Sequence, residues 1–227
     1  MTRLSLFLVA GVSALALTSA VQAADLIIEE PVVGVVDVGG NWDGPYIGVF
    51  AGYGWGEADH TSLDPGNDID LTGWKLGAAL GANFTVSDGV VVGIVGDIAW
   101  SDISGTEDFG VFGDITHTID WQGSLRARLG FDGGAFMPYL TGGAAFAHAT
   151  REVVGSAWGD GEGSATHFGW TAGAGVEIAA TEDLSVDVAY RYSDFGEQEY
   201  DYDNPAFTDP TIALTEHLFT VGLNWRF

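Results

Sequence analysis

The sequence predicts an all-β protein: an eight-stranded antiparallel transmembrane β-barrel, an up-and-down meander from Gly44 to Phe227, preceded by a cleaved signal peptide. Three observations predict it. A short uncharged leader opens the chain, eight later segments alternate apolar with small or polar residues, and the basic side chains of those segments fall on one face.

The leader begins Met1-Thr2-Arg3, runs uncharged from Leu4 to Leu17, and offers small residues at Val21 and Ala23, predicting cleavage after Ala23 and a signal peptide over residues 1–23. A spanning helix needs roughly 20 apolar residues, more than this stretch supplies, and nothing downstream reaches even its length. Any crossing by the mature chain therefore falls to strands. Residues 24–43, with Pro31 and repeated Val and Gly, read as an N-terminal periplasmic segment. The absence of cysteine excludes a disulfide framework and thiolate chemistry. With Arg3 removed, six basic residues face 32 acidic ones, a net charge of −26. Nucleic acid is thereby disfavoured as a partner, since phosphate binding needs a basic surface.

The clearest alternation runs from Trp74 to Val86. There Trp74, Leu76, Ala78, Leu80, Ala82, Phe84 and Val86 form one apolar face, and Lys75, Gly77, Ala79, Gly81, Asn83 and Thr85 form the other. The same period recurs in Tyr46 to Gly56, Val90 to Ser101, Ile115 to Phe131, Pro138 to Ala149, Phe168 to Ala180, Leu184 to Ser193 and Thr215 to Phe227. Short connections at Asp88-Gly89, Asp132-Gly133-Gly134 and Thr181-Glu182-Asp183 alternate with long ones near Asp59 to Asp68, Gly105 to Asp114, Glu152 to Ser164 and Gly196 to Pro210. Outer-membrane barrels pair short periplasmic turns with longer exterior loops in this way.

Alternation alone also suits a soluble sandwich, and charge parity decides between the two. With the apolar face outward, Lys75, Arg126, Arg128, Arg191 and Arg226 point inward, sharing that face with Asp97, Asp120, Glu177, Asp187 and Glu216, while Arg151 falls in a loop. Ten ionisable groups between two sheets would carry several kcal/mol of desolvation each unless closely paired. The interior of an eight-stranded barrel, just wide enough for side chains to fill, can hold them as a packed ionic network. Aromatic residues such as Trp55, Trp74, Trp100, Trp121, Trp170, Tyr190 and Trp225 fall on the apolar face, many near strand ends, where rings settle at headgroup level.

These segments resemble the small surface barrels of alphaproteobacteria, relatives of the OmpA transmembrane domain and opacity-type proteins, known as outer-membrane or porin-like surface antigens. The resemblance rests on W-D-G-P-Y-I-G at Trp42 to Gly48, G-Y-G-W at Gly52 to Trp55, G-V-V-V-G-I-V-G-D at Gly89 to Asp97 and D-W-Q-G-S-L-R-A-R-L-G-F at Asp120 to Phe131. It continues in P-Y-L-T-G-G-A-A-F at Pro138 to Phe146, G-W-T-A-G-A-G-V-E at Gly169 to Glu177 and Y-R-Y-S-D-F-G at Tyr190 to Gly196. It implies a monomeric barrel in the outer membrane of a Gram-negative bacterium, without enzymatic activity, contributing to envelope integrity and surface properties. It also implies insertion by the outer-membrane assembly machinery, which recognises a terminal strand. Here that strand presents Phe219, Val221, Leu223, Trp225 and Phe227 outward. Where relatives usually carry Glu in the seventh strand this chain has Ala189, which puts part of the inner network in question. No peptidoglycan-binding domain follows Phe227, so cell-wall anchoring is not expected.

Other chemistry finds little support. His60, His117, His148, His167 and His217 lie in five segments and read as surface residues, and neither G-x-S-x-G nor H-E-x-x-H occurs. Catalytic and cofactor sites are therefore not expected. Two oxygen-rich loop clusters, Asp64, Asn67, Asp68 and Asp70, and Glu197, Glu199, Asp201, Asp203 and Asp209, suit hard divalent cations without the spacing of a defined calcium loop. Such ions could bridge the loops to lipopolysaccharide phosphates. Two rival functions stay open: a passive pore, if inward glycines such as Gly48, Gly52, Gly77, Gly81 and Gly143 leave room for water, and an adhesin or receptor surface built from the long loops.

Overall fold

A strand with one apolar face needs a partner for its backbone on each side, and a lipid-facing sheet has no water to satisfy an open edge. The computed structural model, which describes residues 41–60, 69–108, 110–204 and 211–227, meets that demand by closing. The strands are β1 (Gly44–His60), β2 (Ile69–Ser87), β3 (Val90–Asp108), β4 (Asp114–Phe131), β5 (Phe136–Val154), β6 (Gly161–Ala179), β7 (Leu184–Glu199), a two-residue β8 (Asp201–Tyr202) and β9 (Thr211–Arg226). One 3-10 turn, Gly110–Phe112, joins β3 to β4. Each long strand pairs antiparallel with its chain neighbour, and β1 pairs with β9 from Tyr46↔Arg226 to His60↔Ile212, which seals an eight-stranded barrel. The small β8 adds a short ladder to β6 above β7. The calls for residues 1–23 and nearly all of 24–43 lie outside the described residues.

The long strands run 16 to 19 residues, beyond the roughly 9 to 11 that cross a bilayer. Much of what the sequence reads as exterior loop is strand: β3 continues to Asp108, β5 to Val154, and β6 starts at Gly161. The reason is a reversal of polarity along each strand. On β5, Leu140 faces outward and Thr141 inward; twelve residues on, Glu152 is outward and Val153 buried. On β2, Leu80 points out and Asn83 in near one end, whereas Asp70 points out and Leu71 in at the other. The same pleat is thus inside-out in one half and soluble-like in the other.

Three register shifts sit where the polarity changes, in β3 between Trp100 and Ile103, in β4 between Ile119 and Trp121, and in β7 between Asp194 and Glu197. In β4 and β7 the irregularity swaps which parity faces inward, whereas β3 keeps its odd residues inward on both sides. In β7 Gly196, at φ 67°, supplies the left-handed residue that the irregularity needs. Below this level the outer wall carries a belt with Trp74 at one edge of β2 and Val86 at the other. At about 3.3 Å per residue and a tilt near 40°, that belt is roughly 30 Å tall, the thickness of a hydrocarbon core.

Candidate functional site, the filled lumen

The lower lumen holds charges in three tiers. Nearest the turns, Arg226 Nη2 donates to Glu177 Oε1 at 2.7 Å, and Arg128 Nη1 lies 2.7 Å from Glu177 Oε2, an ion contact without hydrogen-bond alignment. Arg128 Nη2 also donates to Asp187 Oδ2 at 3.0 Å, and the Tyr139 hydroxyl donates to the same oxygen at 2.8 Å. The Arg128 guanidinium stacks 3.5 Å from the Tyr139 ring centre. In the middle tier, Asp97 Oδ2 accepts from Arg126 Nη2 at 2.7 Å, Arg191 Nη1 at 3.1 Å and the Ser124 hydroxyl. Above them Lys75 Nζ donates to Glu216 at 2.8 Å, and Gln122 Nε2 donates to the same carboxylate at 3.2 Å.

Nine of the ten residues assigned inward from the sequence thus meet in the lumen as partnered groups. Asp120 does not. The β4 bulge falls at this residue, swings it outward, and leaves its Oδ2 accepting from the Thr150 hydroxyl at 2.7 Å on the outer wall. Ala189 is inward and lines a cavity of about 50 Å³ beside Arg126 and Arg128, and Glu177 and Asp187 nearby carry the pairing without a carboxylate there.

Three inward glycines seat rings, while Gly48, Gly52 and Gly143 lie against neighbouring backbone or non-aromatic side chains. Gly81 lies opposite Tyr46, Gly77 opposite Phe50 and Gly175 opposite Tyr139, and in each case an added Cβ would collide with the partner's ring. At Gly77 and Gly81 the space that the pore alternative would give to water is occupied by aromatic carbon. Cavities of about 50 and 10 Å³ lie between the tiers.

Both mouths are covered. At the turn end Trp42 is buried against Val91 and Met137, and its Nε1 donates to Asp132 Oδ1 and to the Gly134 carbonyl. Arg226 lies over the Trp42 indole, 4.9 Å from its centre. At the other end the polarity reversal points Ile69, Leu71, Ile103, Ile119, Leu214 and Phe195 inward as one apolar cap, a core the sequence reading missed. A trace of it is the inverted alternation of Ile69 to Thr72 before Trp74, while which residues meet as one cap is set by register.

That cap corrects two further expectations. Arg151, read as a loop residue, is inward on β5, and its Nε donates to His117 Nε2 at 3.1 Å. His117 and His167, read as surface residues, are buried; His167 shares a hydrogen bond of 3.0 Å with the Tyr200 hydroxyl. Burial pushes the Arg151 guanidinium, in the collar above the belt, down to about 10, because the charged form loses water. His148 and His217 stand on the outer wall, stacked on Trp121 and Trp55. Asp70, Glu197, Glu199 and Asp203 are exposed, Asp64, Asn67, Asp68 and Asp209 lie outside the described residues, and among the described residues no three acidic or histidine side chains converge as metal ligands.

The model of the outer membrane protein beta-barrel domain family matches residues 12–227. The chain belongs to this family. Among similar proteins, the 25 kDa outer-membrane immunogenic protein of Brucella melitensis is 35% identical over 208 residues, covering 90% of each chain. The 31 kDa outer-membrane immunogenic protein of the same organism is 32% identical over 246 residues, covering 97% of this chain and 98% of that one. The 22 kDa outer membrane protein of Rhizobium leguminosarum is 32% identical over 190 residues, 83% of this chain and 79% of its own. Among solved structures, the outer membrane protein OprG from Pseudomonas aeruginosa matches the fold with a TM-score of 0.51 at 15% identity, covering 84% of this chain and 99% of that one. This family member is an outer-membrane barrel of a Gram-negative envelope, and the apolar belt is its lipid-facing wall.

Proposed function

We propose that the protein is a non-conducting, non-enzymatic structural barrel that supports envelope integrity and presents an acidic collar and loops at the cell surface. One observation carries this reading. The lumen is filled along its length by partnered charges and seated rings, roofed by an apolar cap and closed at the turn end by Trp42. A passive pore would need a continuous wet path, and the apolar cap offers none. The catalytic alternative has equally little support, since the buried histidines are enclosed and the two on the outer wall are stacked against tryptophan. Surface display accords with relatives named as immunogenic. The apolar wall all round the barrel favours a monomer in lipid, inserted by the assembly machinery through its terminal strand. Purified protein in planar bilayers is expected to give no stable single-channel steps. Reproducible conductance from folded, heat-modifiable protein would replace the structural reading with the pore.

A further inference from the structure

On the outer wall, one row above the bilayer core, the strand register brings together groups that do not stabilise one another. Glu57 of β1 and Asp70 of β2 are direct partners, both outward and exposed. Like charges placed opposite one another weaken a sheet. The short outward side chains Thr72 and Thr215 leave a cleft of about 430 Å³ against this pair, with Trp55 and His217 also lining it. Trp55 is 41% exposed. His217 stacks against its ring at 5.7 Å and 10°, and is itself held by the Tyr190 hydroxyl at Nδ1, 2.7 Å away. A rigid indole beside two carboxylates, at the height where lipid headgroups lie, combines the features that attract an ammonium group: a π face, negative charge and a recess.

We propose that this cleft binds the ammonium of an amine-bearing lipid headgroup, with Glu57 and Asp70 taking its charge and Trp55 packing on its carbon-bound face. Charge complementarity selects the occupant. Anionic headgroups are repelled by the carboxylate pair, and the described basic residues of the barrel strands all point into the barrel, so the wall offers phosphate no arginine or lysine. His217 is a positioning residue here, fixing the indole plane. The site lies on the lipid side and does not depend on whether the lumen conducts.

The test uses the mature protein in nanodiscs holding equal amounts of phosphatidylethanolamine and phosphatidylglycerol, with retained lipids counted by native mass spectrometry. Retention of the amine lipid is expected to exceed that of the anionic lipid by about fivefold, the scale of one exposed cation–π and carboxylate contact. The preference should collapse in E57Q/D70N and in W55L. It should persist in E152Q/E162Q, which neutralises another outward carboxylate pair in direct register but away from the cleft. Heat-modifiable migration on gels confirms that each variant is folded. No preference in the parent protein, or equal loss in the E152Q/E162Q control, would overturn the site. So would a preference abolished by chelator, which would assign the carboxylates to a bridging divalent ion.

Discussion

Arg128 shows how much of this barrel rests on single side chains. It joins Glu177, Asp187, the Tyr139 ring face and the Tyr46 hydroxyl in the lowest tier, nearly out of contact with water. Removing it leaves Asp187 without a basic partner and Glu177 with Arg226 alone, so Arg128→Ala is expected to lower stability by about 3–5 kcal/mol in urea unfolding from micelles. Gly81 matters for the opposite reason, since it must remain empty beneath Tyr46. Gly81→Ala should cost about 1–3 kcal/mol in the same assay through overpacking, although alanine favours folding at most unconstrained positions.

Along each strand the decisive property is where polarity reverses. Leu140 and Glu152 are both outward on β5, but the first stands in the lipid belt and the second in the collar above it. Leu140→Arg is expected to cost about 2–4 kcal/mol, whereas Glu152→Arg should change stability by no more than about 0.5 kcal/mol. Equal effects in urea unfolding would place both residues in the same medium and refute the reversal. On β2 and β5 composition alone makes the changeover, whereas β4 and β7 also change parity at a bulge. In β4, Asp120 absorbs one residue, so Arg126 and Arg128 point inward on even positions and Ile115, His117 and Ile119 on odd ones.

For the molecule as a whole, the sorting of charge has a biochemical consequence. Lys75, Arg126, Arg128, Arg151, Arg191 and Arg226 all sit inside, each on a hydrogen-bonded strand. Trypsin needs both an accessible side chain and a backbone that can leave its ladder. The folded mature barrel is therefore expected to survive trypsin without internal cleavage, while boiled protein is cut at these positions. Mass spectrometry of the digests would show it. The outer surface is acidic in consequence, which ties the lumen's chemistry to the collar's.

Much of this architecture is legible in the amino-acid order. The period-2 faces, the parity of five basic residues and the alternation of short and long connections depend on neighbours in sequence, because lipid imposes one rule on every outward position. That is why the strand count and nine of the ten lumenal charges can be read from the chain alone. The cap, the outward turn of Asp120, the burial of His117, His167 and Arg151, and the rings seated on glycines could not be read this way. Each depends on which residue of another strand stands opposite, and on bulges that change parity at a height marked by no single residue. The fold class and the membrane belt follow from local pattern. The closure of the lumen follows from register, which exists only once all eight long strands have paired around the barrel.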